Sequence, residues 1–254
     1  MSAGSAVGAA GAGHAAGAVG TPGAVGTPGT ARTPGRVSAA GPPPARAMGP
    51  DFYERPVLEV ARDLIGCRVV HEGTEGVIVE TEAYHDSEPA CHAFVGLTQR
   101  TSTLFGPPGR AYVYRSYGIH AMLNAVCESE GVGAAVLIRA LAPTGGLELM
   151  RERRGLTREQ DLCSGPGKLA QALGIELDDN GCDLAVGPVR MLAPATGWRA
   201  ARVLVDKRVG ITRAAELQWR FAVAGDPNVS RPRPPDPEGA GVRPGAGRRL
   251  RPAG

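Results

Sequence analysis

The chain has 254 residues, a formal net charge of +3 at pH 7 and 43% hydrophobic residues. A chain of this length holds one large domain or two small ones, and so mild a charge does not identify a partner. No apolar run is long enough to span a bilayer, and the N-terminus lacks the basic start and leucine-type core of a secretory signal. We therefore expect a cytoplasmic protein that has no membrane partner.

The five cysteines are scattered along the chain and never form a C-x-x-C pair. Together with the missing secretory signal, this pattern predicts free thiols in a reducing compartment and argues against a structural zinc site.

Both ends of the chain are poor in large apolar residues. Residues 1–49 are mostly Ala, Gly, Pro, Thr and Ser, and residues 230–254 are mostly Pro, Gly and Arg. Such segments bury too little apolar surface to offset their chain entropy, so we predict that both are disordered tails. The Arg-rich second tail is expected to add salt-sensitive affinity for DNA, should DNA be the partner. The folded domain is then predicted to span residues 50–229, an ordinary size for one domain.

Within that domain, hydrophobic periodicity predicts a mixture of helices and strands. Helices are expected at residues 57–65, 146–154 and 167–173. Strands are expected at residues 67–70, 77–84, 110–114, 122–126, 134–141, 189–192, 203–211 and 217–223, the first two joined as a hairpin around a turn at residues 71–76. Because strands and helices do not alternate strictly, we predict an α+β fold on a largely antiparallel sheet.

The strand at residues 77–84 has an unusual polar face. Alternation puts Glu80, Glu82 and Tyr84 on one face and Thr81 and Ala83 on the other. Two carboxylates on a strand that otherwise reads as buried are costly unless they face a solvated cleft. Taken alone, the pattern also fits a salt-bridged edge strand. The two glutamates, two positions and thus ~7 Å apart, would also fit the carboxyl pair of a carbohydrate hydrolase.

Tyrosines are concentrated just after this strand. Four of the five, Tyr84, Tyr112, Tyr114 and Tyr117, lie between the acidic strand and the next turn. We expect Tyr112 to pack in the core. Tyr84 and Tyr114, with His92, could instead wall a flat slot, and a flat slot beside a carboxylate suits a nucleobase.

Five motifs in order resemble the 3-methyladenine (alkyladenine) DNA glycosylases of the mammalian type. They are Val79-Glu-Thr-Glu-Ala-Tyr84; Gly109-Arg-Ala-Tyr-Val-Tyr114 with Tyr117-Gly118 and Asn124; Leu137-Ile-Arg-Ala-Leu141; Leu162-Cys-Ser-Gly-Pro-Gly-Lys-Leu169; and Arg208-Val-Gly210. The resemblance covers about residues 52–229 and leaves out both tails.

The resemblance implies a single domain with a curved, mostly antiparallel sheet surrounded by helices. It also implies a monofunctional enzyme of base-excision repair that works as a monomer, without cofactor or metal. Such an enzyme flips alkylated or deaminated purines out of double-stranded DNA and hydrolyses the N-glycosidic bond, leaving an abasic site.

The resemblance also assigns roles to single residues. Glu82 matches the general base, and Arg139 and the backbone of Val209 match the groups that hold the attacking water. The base pocket is expected to contain Tyr84, His92, Tyr114, Asn124 and Leu137, with Asn124 crowding the 2-amino group of guanine. Tyr117 matches the side chain that intercalates where the base has left the stack. The chain departs from the family at Ala135, where a bulkier residue is usual.

Two other functions remain open at this point: a nucleic-acid-binding module of the same fold without chemistry, and the carbohydrate hydrolase. Single residues also keep simpler explanations. Arg139 could be a structural partner of Glu80, Lys168 could cap backbone carbonyls or meet phosphate, and Lys207 and Arg208 could face DNA or solvent.

Overall fold

A computed structural model of the chain describes residues 46–199 and 202–238. The helices are α1 (Pro50–Tyr53), α2 (Val57–Asp63), α3 (Leu147–Arg154) and α4 (Pro166–Leu173), with short 3-10 helices at His92–Val95, Ser102–Phe105, Glu159–Asp161 and Leu177–Asp179. The strands are β1 (Arg68–His71), β2 (Thr74–His85), β3 (Ala111–Ser116), β4 (His120–Val126), β5 (Ala134–Gly145), β6 (Arg190–Leu192), β7 (Val203–Asp206) and β8 (Arg220–Val223). None of the helices in this part of the chain is both long and apolar enough to cross a membrane.

All strands belong to one curled antiparallel sheet, in the order β3-β4-β5-β2-β1-β6, with β8 and then β7 attached to β2. The 12-residue strand β2 is its centre. β5 pairs along one edge of β2, while β1 pairs with the first half of the other edge and β8 with residues 80–82. The predicted fold class, a single α+β domain with a curved antiparallel sheet and peripheral helices, is confirmed.

The main core lies between this sheet and the helices. Val60 and Leu64 follow the spacing of one helical face, and they pack with Ile138 of β5 and Leu169 and Leu173 of α4. On β2, Ala83 joins this core and the hydroxyl of Thr81 donates to the backbone oxygen of Ala61. The opposite face of β2 is thereby left for Glu80, Glu82 and Tyr84, as the alternation predicts.

The pairing of β2 with β5 contains two irregularities next to the glutamates. The register passes from Ile78–Leu141 to Glu80–Ala140, and then to Thr81–Ile138, so that Arg139 has no direct partner. An extra residue of this kind is a β-bulge, which redirects side chains. Here the bulge brings Arg139 onto the face of β2 that carries Glu80 and Glu82.

Several predicted elements have other bounds in the structure: β5 runs on to Gly145, β8 begins only at Arg220, and α1 was not predicted. The hairpin between β1 and β2 turns at Glu72 and Gly73 alone, both with positive φ, so β2 begins earlier than predicted. The strand predicted over residues 203–211 ends at Asp206. Val209 therefore lies in a loop. Its N–H makes no hydrogen bond within a strand pair and donates to Glu82 of β2 instead.

The described chain extends beyond both predicted domain boundaries. Met48 packs in the main core, and its N–H donates to the oxygen of Met191. At the other end Ser230 is buried, and Arg202 forms ion pairs with Asp236 and Glu238. The remainder of the two predicted disordered tails, residues 1–45 and 239–254, lies outside the described residues.

Candidate active site

The two glutamates of β2 lie where β5 and β8 flank the strand, and both side chains are completely buried. Arg139 comes from β5 and Arg220 from β8, so each flanking strand supplies one guanidinium. Two buried carboxylates facing two buried guanidiniums balance in charge, which removes most of the cost of placing these groups out of water.

Glu80 has all its oxygens engaged by donors. Its Oε1 accepts from Arg139 Nε at 2.9 Å, Arg220 Nε at 2.7 Å and the hydroxyl of Ser230 at 2.9 Å, and its Oε2 accepts from the Ser230 N–H at 2.7 Å. Oε1 is thus fully occupied, whereas Oε2 has a single donor among the described residues. Glu80 is completely buried and bound by two guanidiniums, which argues against the carboxyl pair of a carbohydrate hydrolase, because that pair needs both groups at the scissile bond.

Glu82 is held by three donors in an uneven way. Its Oε2 accepts from Arg139 Nη1 at 3.1 Å and the Tyr84 hydroxyl at 2.8 Å, whereas its Oε1 accepts from the Val209 N–H at 2.7 Å. Burial raises the pKa of Glu82, and Arg139, the Val209 N–H and the Tyr84 hydroxyl act against that rise. Among the described residues Oε1 has a single partner, which leaves it the freer atom to accept a proton.

Tyr84, which donates to Glu82, also lines a cavity of about 250 Å³, whereas Glu82 itself is buried and is not among the residues that line it. The aromatic and polar side chains that line the cavity are Tyr84, Cys91, His92, Arg100, Tyr112, Tyr114, Arg115, Ser116, Tyr117 and Asn124, joined by Ala90, Leu104, Ala135, Gly210 and Ile211. Sites for drug-sized molecules span ~300–1,000 Å³, so this cavity suits a smaller occupant such as a single base. It brings together every predicted pocket residue except Leu137.

The aromatic rings of the cavity form one connected wall. His92 and Tyr114 meet edge to face, with centroids 4.6 Å apart at 79°, and Tyr112 stacks on Tyr114 at 5.4 Å and 26°. His92 Nδ1 also lies 3.1 Å from the Tyr112 hydroxyl oxygen. Because His92 and Tyr114 touch, no base fits between them, and a flat ligand has to lie between this wall and Tyr84. Burial and the charge of Arg100 lower the pKa of His92, which favours the neutral imidazole.

Asn124 is fixed by the sheet beneath the cavity. Its Nδ2 donates to the backbone oxygens of Tyr112 at 3.0 Å and Met122 at 3.3 Å. Leu137 is the register partner of both Asn124 and Glu82, but it is buried and does not line the cavity. A place for Leu137 in the base pocket therefore stays a prediction. Ala135 does line the cavity, and its small side chain leaves room there.

Tyr117 is at the tip of the β3–β4 hairpin. It has φ of +50°, precedes Gly118 with φ of +72°, and is 89% exposed. Ile119 beside it is 72% exposed. A hairpin tip that presents a ring to solvent at the mouth of the cavity has the shape that an intercalating side chain requires.

Arg208 is buried behind Tyr84, so it faces neither DNA nor solvent. It forms a two-point ion pair with Glu88 at 2.7 and 2.9 Å and donates to the backbone oxygen of Ala83. Its guanidinium lies 4.6 Å from the centre of the Tyr84 ring and 5.2 Å from that of Trp219. These contacts fix the position of the Tyr84 ring from behind.

The sequence interpretation missed two residues of the carboxylate network, Arg220 and Ser230. A charged residue between Trp219 and Phe221 in a predicted strand was a usable signal for the first, by the reasoning applied to Arg139. Arg139 itself bonds to both Glu80 and Glu82. Its position therefore fits a structural role as the partner of Glu80 and also a catalytic role beside Glu82. Ser230 gave no signal, because it begins a segment whose composition resembles a disordered tail.

A second cavity, of about 290 Å³, is lined by Arg139 and Ser230. Its charged lining residues are Arg139, Arg158, Lys168, Arg231 and Arg233, with Asp161 as the one acid. Such an excess of cations favours an anionic occupant. We call it the cationic cavity.

Comparison with known proteins agrees with this geometry. The family model described as methylpurine-DNA glycosylase matches residues 51–227. A protein of Rhodopseudomonas palustris (strain BisB18), named "Putative 3-methyladenine DNA glycosylase", is 52% identical over 198 residues, which cover 75% of this chain and 96% of that protein. Proteins with the same name from Rubrobacter xylanophilus and Methanoculleus marisnigri are 54% identical (65% of this chain, 87% of that protein) and 49% identical (71% and 96%).

The matched residues contain the whole sheet, the aromatic cavity and both buried glutamates. A match over most of the domain, together with relatives that align along almost their entire length, leaves one assignment. The chain belongs to the methylpurine-DNA glycosylase family.

Proposed function

We propose that this protein is a base-excision-repair DNA glycosylase that removes alkylated or deaminated purines from double-stranded DNA, with Glu82 as its general base. The observation that carries the proposal is the position of Glu82. This carboxylate is held by Arg139, Val209 and Tyr84, and Tyr84 also lines an aromatic cavity of about 250 Å³. We propose that the enzyme acts as a monomer.

The damaged nucleotide leaves the stack and its base enters the cavity. Unstacking costs a few kcal/mol, less for a damaged or mismatched base. Stacking on an aromatic side chain is worth ~1–3 kcal/mol per base, so Tyr84 on one side and the His92–Tyr114 wall on the other offset that cost. Tyr117 fills the gap left in the duplex and prevents the base from returning.

With the base in the cavity, the sugar carbon C1′ approaches Glu82. A water oxygen attacks C1′ while the bond from C1′ to the base nitrogen breaks, and the bonding electrons leave with the base. Glu82 Oε1 accepts the proton of the water, and the carboxylate charge stabilises the cationic character that the sugar develops. A cationic alkylpurine is neutralised as it leaves, so it needs no added proton. A neutral lesion such as hypoxanthine does.

Burial and ion pairing together set the basicity of Glu82. Burial raises its pKa, which makes the carboxylate a stronger base than one in water, and Arg139 limits the rise so that the anion persists. Because an acid with a raised pKa is protonated at higher pH, activity on a cationic lesion should fall as the pH drops through that raised value. Glu80 holds Arg139 in place and takes no part in proton transfer.

Asn124 supports selectivity against guanine. Guanine differs from adenine and hypoxanthine on its minor-groove edge by the 2-amino group. Asn124 lines the cavity and is tied to two backbone oxygens, so it cannot easily move aside for that group. Normal guanine is thereby rejected by a clash, which does not depend on tight binding of the lesion.

The test is release of free base from duplexes that each carry one lesion: 3-methyladenine, 7-methylguanine, hypoxanthine or ethenoadenine. The wild-type protein should release at least one of these bases and leave an abasic site, and Glu82→Gln should release each of them far more slowly. Binding of lesion duplex without base release by the wild type would instead identify a non-catalytic binding module.

A further inference from the structure

Tyr84 is in contact with both halves of the site. Its side chain lines the base cavity, and its hydroxyl donates to Glu82 Oε2 at 2.8 Å. The other two donors to Glu82, Arg139 Nη1 and the Val209 N–H, belong to residues that do not line that cavity. Among the described residues, Tyr84 is thus the one side chain that joins the cavity wall to the carboxylate.

The ring of Tyr84 is also held on its other side. Arg208 packs over it at 4.6 Å and is itself locked by the two-point ion pair with Glu88. A phenol anchored in this way presents its hydroxyl at a defined point, whereas a freely rotating side chain would not. The hydrogen bond to Glu82 is therefore part of a rigid arrangement that extends from Glu88 to the carboxylate.

We propose that the Tyr84 hydroxyl is a positioning group for Glu82, so that the residue that stacks on the damaged base also orients the general base and favours its anionic form. The proposal rests on the function proposed above and adds a second role for Tyr84 that stacking alone does not require. By occupying Oε2 together with Arg139, the hydroxyl leaves Oε1 as the atom that faces the water.

The electrostatics of the site support this role. The charged groups around Glu82 are Arg139 from β5, Glu80 on its own strand, Arg220 from β8 and Arg208 behind Tyr84. Burial raises the pKa of Glu82, and the hydrogen bond from Tyr84 is one of the contacts that lower it again. Burial and the nearby Glu82 raise the pKa of Tyr84 well above its ordinary value, so the phenol keeps its proton and remains a donor at working pH.

The test is Tyr84→Phe, which keeps the ring and removes the hydroxyl. The rate of single-turnover release of 7-methylguanine should be measured from pH 5 to 9. This base is already cationic and needs no added proton, so the fall of the rate at low pH, the acid limb of the pH–rate profile, reports the protonation of the general base alone. A hydrogen bond to a charged group is worth enough to move a pKa by about one unit. We expect the acid limb of Tyr84→Phe to move upward by about one pH unit, and the rate below the limb to fall about tenfold.

Tyr114→Phe is the matched control, since it makes the same change on the facing wall and Tyr114 has no hydrogen bond to Glu82 among the described contacts. The rate of Tyr114→Phe should fall at the same pH as that of the wild type, even if the two proteins differ in absolute rate. A Tyr84→Phe profile with an unmoved limb, or a loss that is equal at every pH, would overturn the proposal.

Glu82→Gln separates this proposal from the function on which it rests. If Glu82→Gln abolishes release while Tyr84→Phe leaves the limb in place, the general base stands and the positioning role fails. If Glu82→Gln retains the rate, the catalytic assignment itself fails. Circular dichroism and a thermal melt of each variant ensure that only folded protein is compared.

Discussion

Replacing Glu82 with Gln keeps the shape of the side chain and changes what it can accept. All three partners of Glu82 are donors: Arg139 Nη1 and the Tyr84 hydroxyl at Oε2, and the Val209 N–H at Oε1. An amide has only one acceptor oxygen. The favoured orientation points that oxygen at Arg139 and Tyr84, which leaves the new NH2 group against the Val209 N–H.

The magnitudes follow from this geometry. An unsatisfied buried N–H costs about 1–3 kcal/mol, and removing one partner of a buried ion pair costs about 3–5 kcal/mol, because Arg139 keeps its charge. At about 2–4 °C per kcal/mol for a domain of this size, the melting temperature should fall by roughly 6–20 °C. Proton transfer by a positioned general base contributes about 10²- to 10⁴-fold, so the rate should fall by that factor.

The assay is single-turnover release of hypoxanthine and 7-methylguanine, with binding to a duplex that carries an abasic-site analogue measured in parallel. Glu82→Gln should bind this duplex about as well as the wild type while its rate collapses. Glu59→Gln, on the exposed side of α2, is the matched control and should change neither. A Glu82→Gln rate within a few-fold of the wild type would refute the assignment. Glu80 would then be the next candidate to test, since its Oε2 accepts from the Ser230 N–H alone among the described contacts.

The pH dependence of stability offers an independent check on Glu82. Burial raises the pKa of this carboxyl in the folded state, so the folded protein holds the proton more tightly than the unfolded chain does. The stabilisation from that proton is fully present below the unfolded pKa of ~4.3 and is lost as the pH rises through the higher folded value. Relative to Glu82→Gln, the wild type should therefore lose unfolding free energy as the pH rises through that window. A difference that does not vary with pH would contradict the raised pKa.

Three further outcomes are expected. Tyr117→Ala should reduce flipping, most for lesions in stable pairs, and equal fluorescence of a 2-aminopurine beside the lesion in variant and wild type would reduce Tyr117 to an ordinary surface residue. Asn124→Ser should raise release of guanine or 7-methylguanine relative to hypoxanthine in the same sequence context, whereas an equal loss on every lesion would make Asn124 a support only. The double change Arg231→Gln and Arg233→Gln should lower the slope of log K against log salt for DNA binding by about 1–2, because each lost phosphate contact contributes ~0.9. An unchanged slope, or the same drop in the edge-strand control Arg190→Gln, would mean that the cationic cavity does not bind phosphate.

The sequence predicted well those features that depend on local alternation. Residues 77–84 predict the strand, its polar face and the side on which Tyr84 lies, because successive side chains of a strand point to opposite faces of the sheet. The hairpin with Tyr117 at its tip follows equally from two apolar runs around Tyr117-Gly118. The roles of Glu82 and Asn124 came from the resemblance, and they remain proposals until the variants are measured.

Features that depend on register or on distant partners could not be predicted. The bulge that turns Arg139 toward the glutamates arises from how β5 pairs with β2, which no single strand encodes. Val209 was placed in a strand because residues 203–211 are apolar enough to read as one, although β7 ends at Asp206. Ser230 sits in a segment whose composition resembles a disordered tail, yet it is buried and bonds to Glu80, Arg139 and Arg220.

The carboxylate network also sets an order in time. Glu80 and Glu82 are joined to Arg139, Val209 and Ser230 across separations of 57 to 150 residues. A ribosome makes the chain from its N-terminus, so β2 emerges long before the residue that completes its hydrogen bonds. Until Ser230 has been made, Glu80 lacks two of its four hydrogen bonds, which opposes closure of the sheet around it. The support behind Glu82 is therefore completed late in synthesis, and a chain cut short before Ser230 should hold Arg139 less firmly.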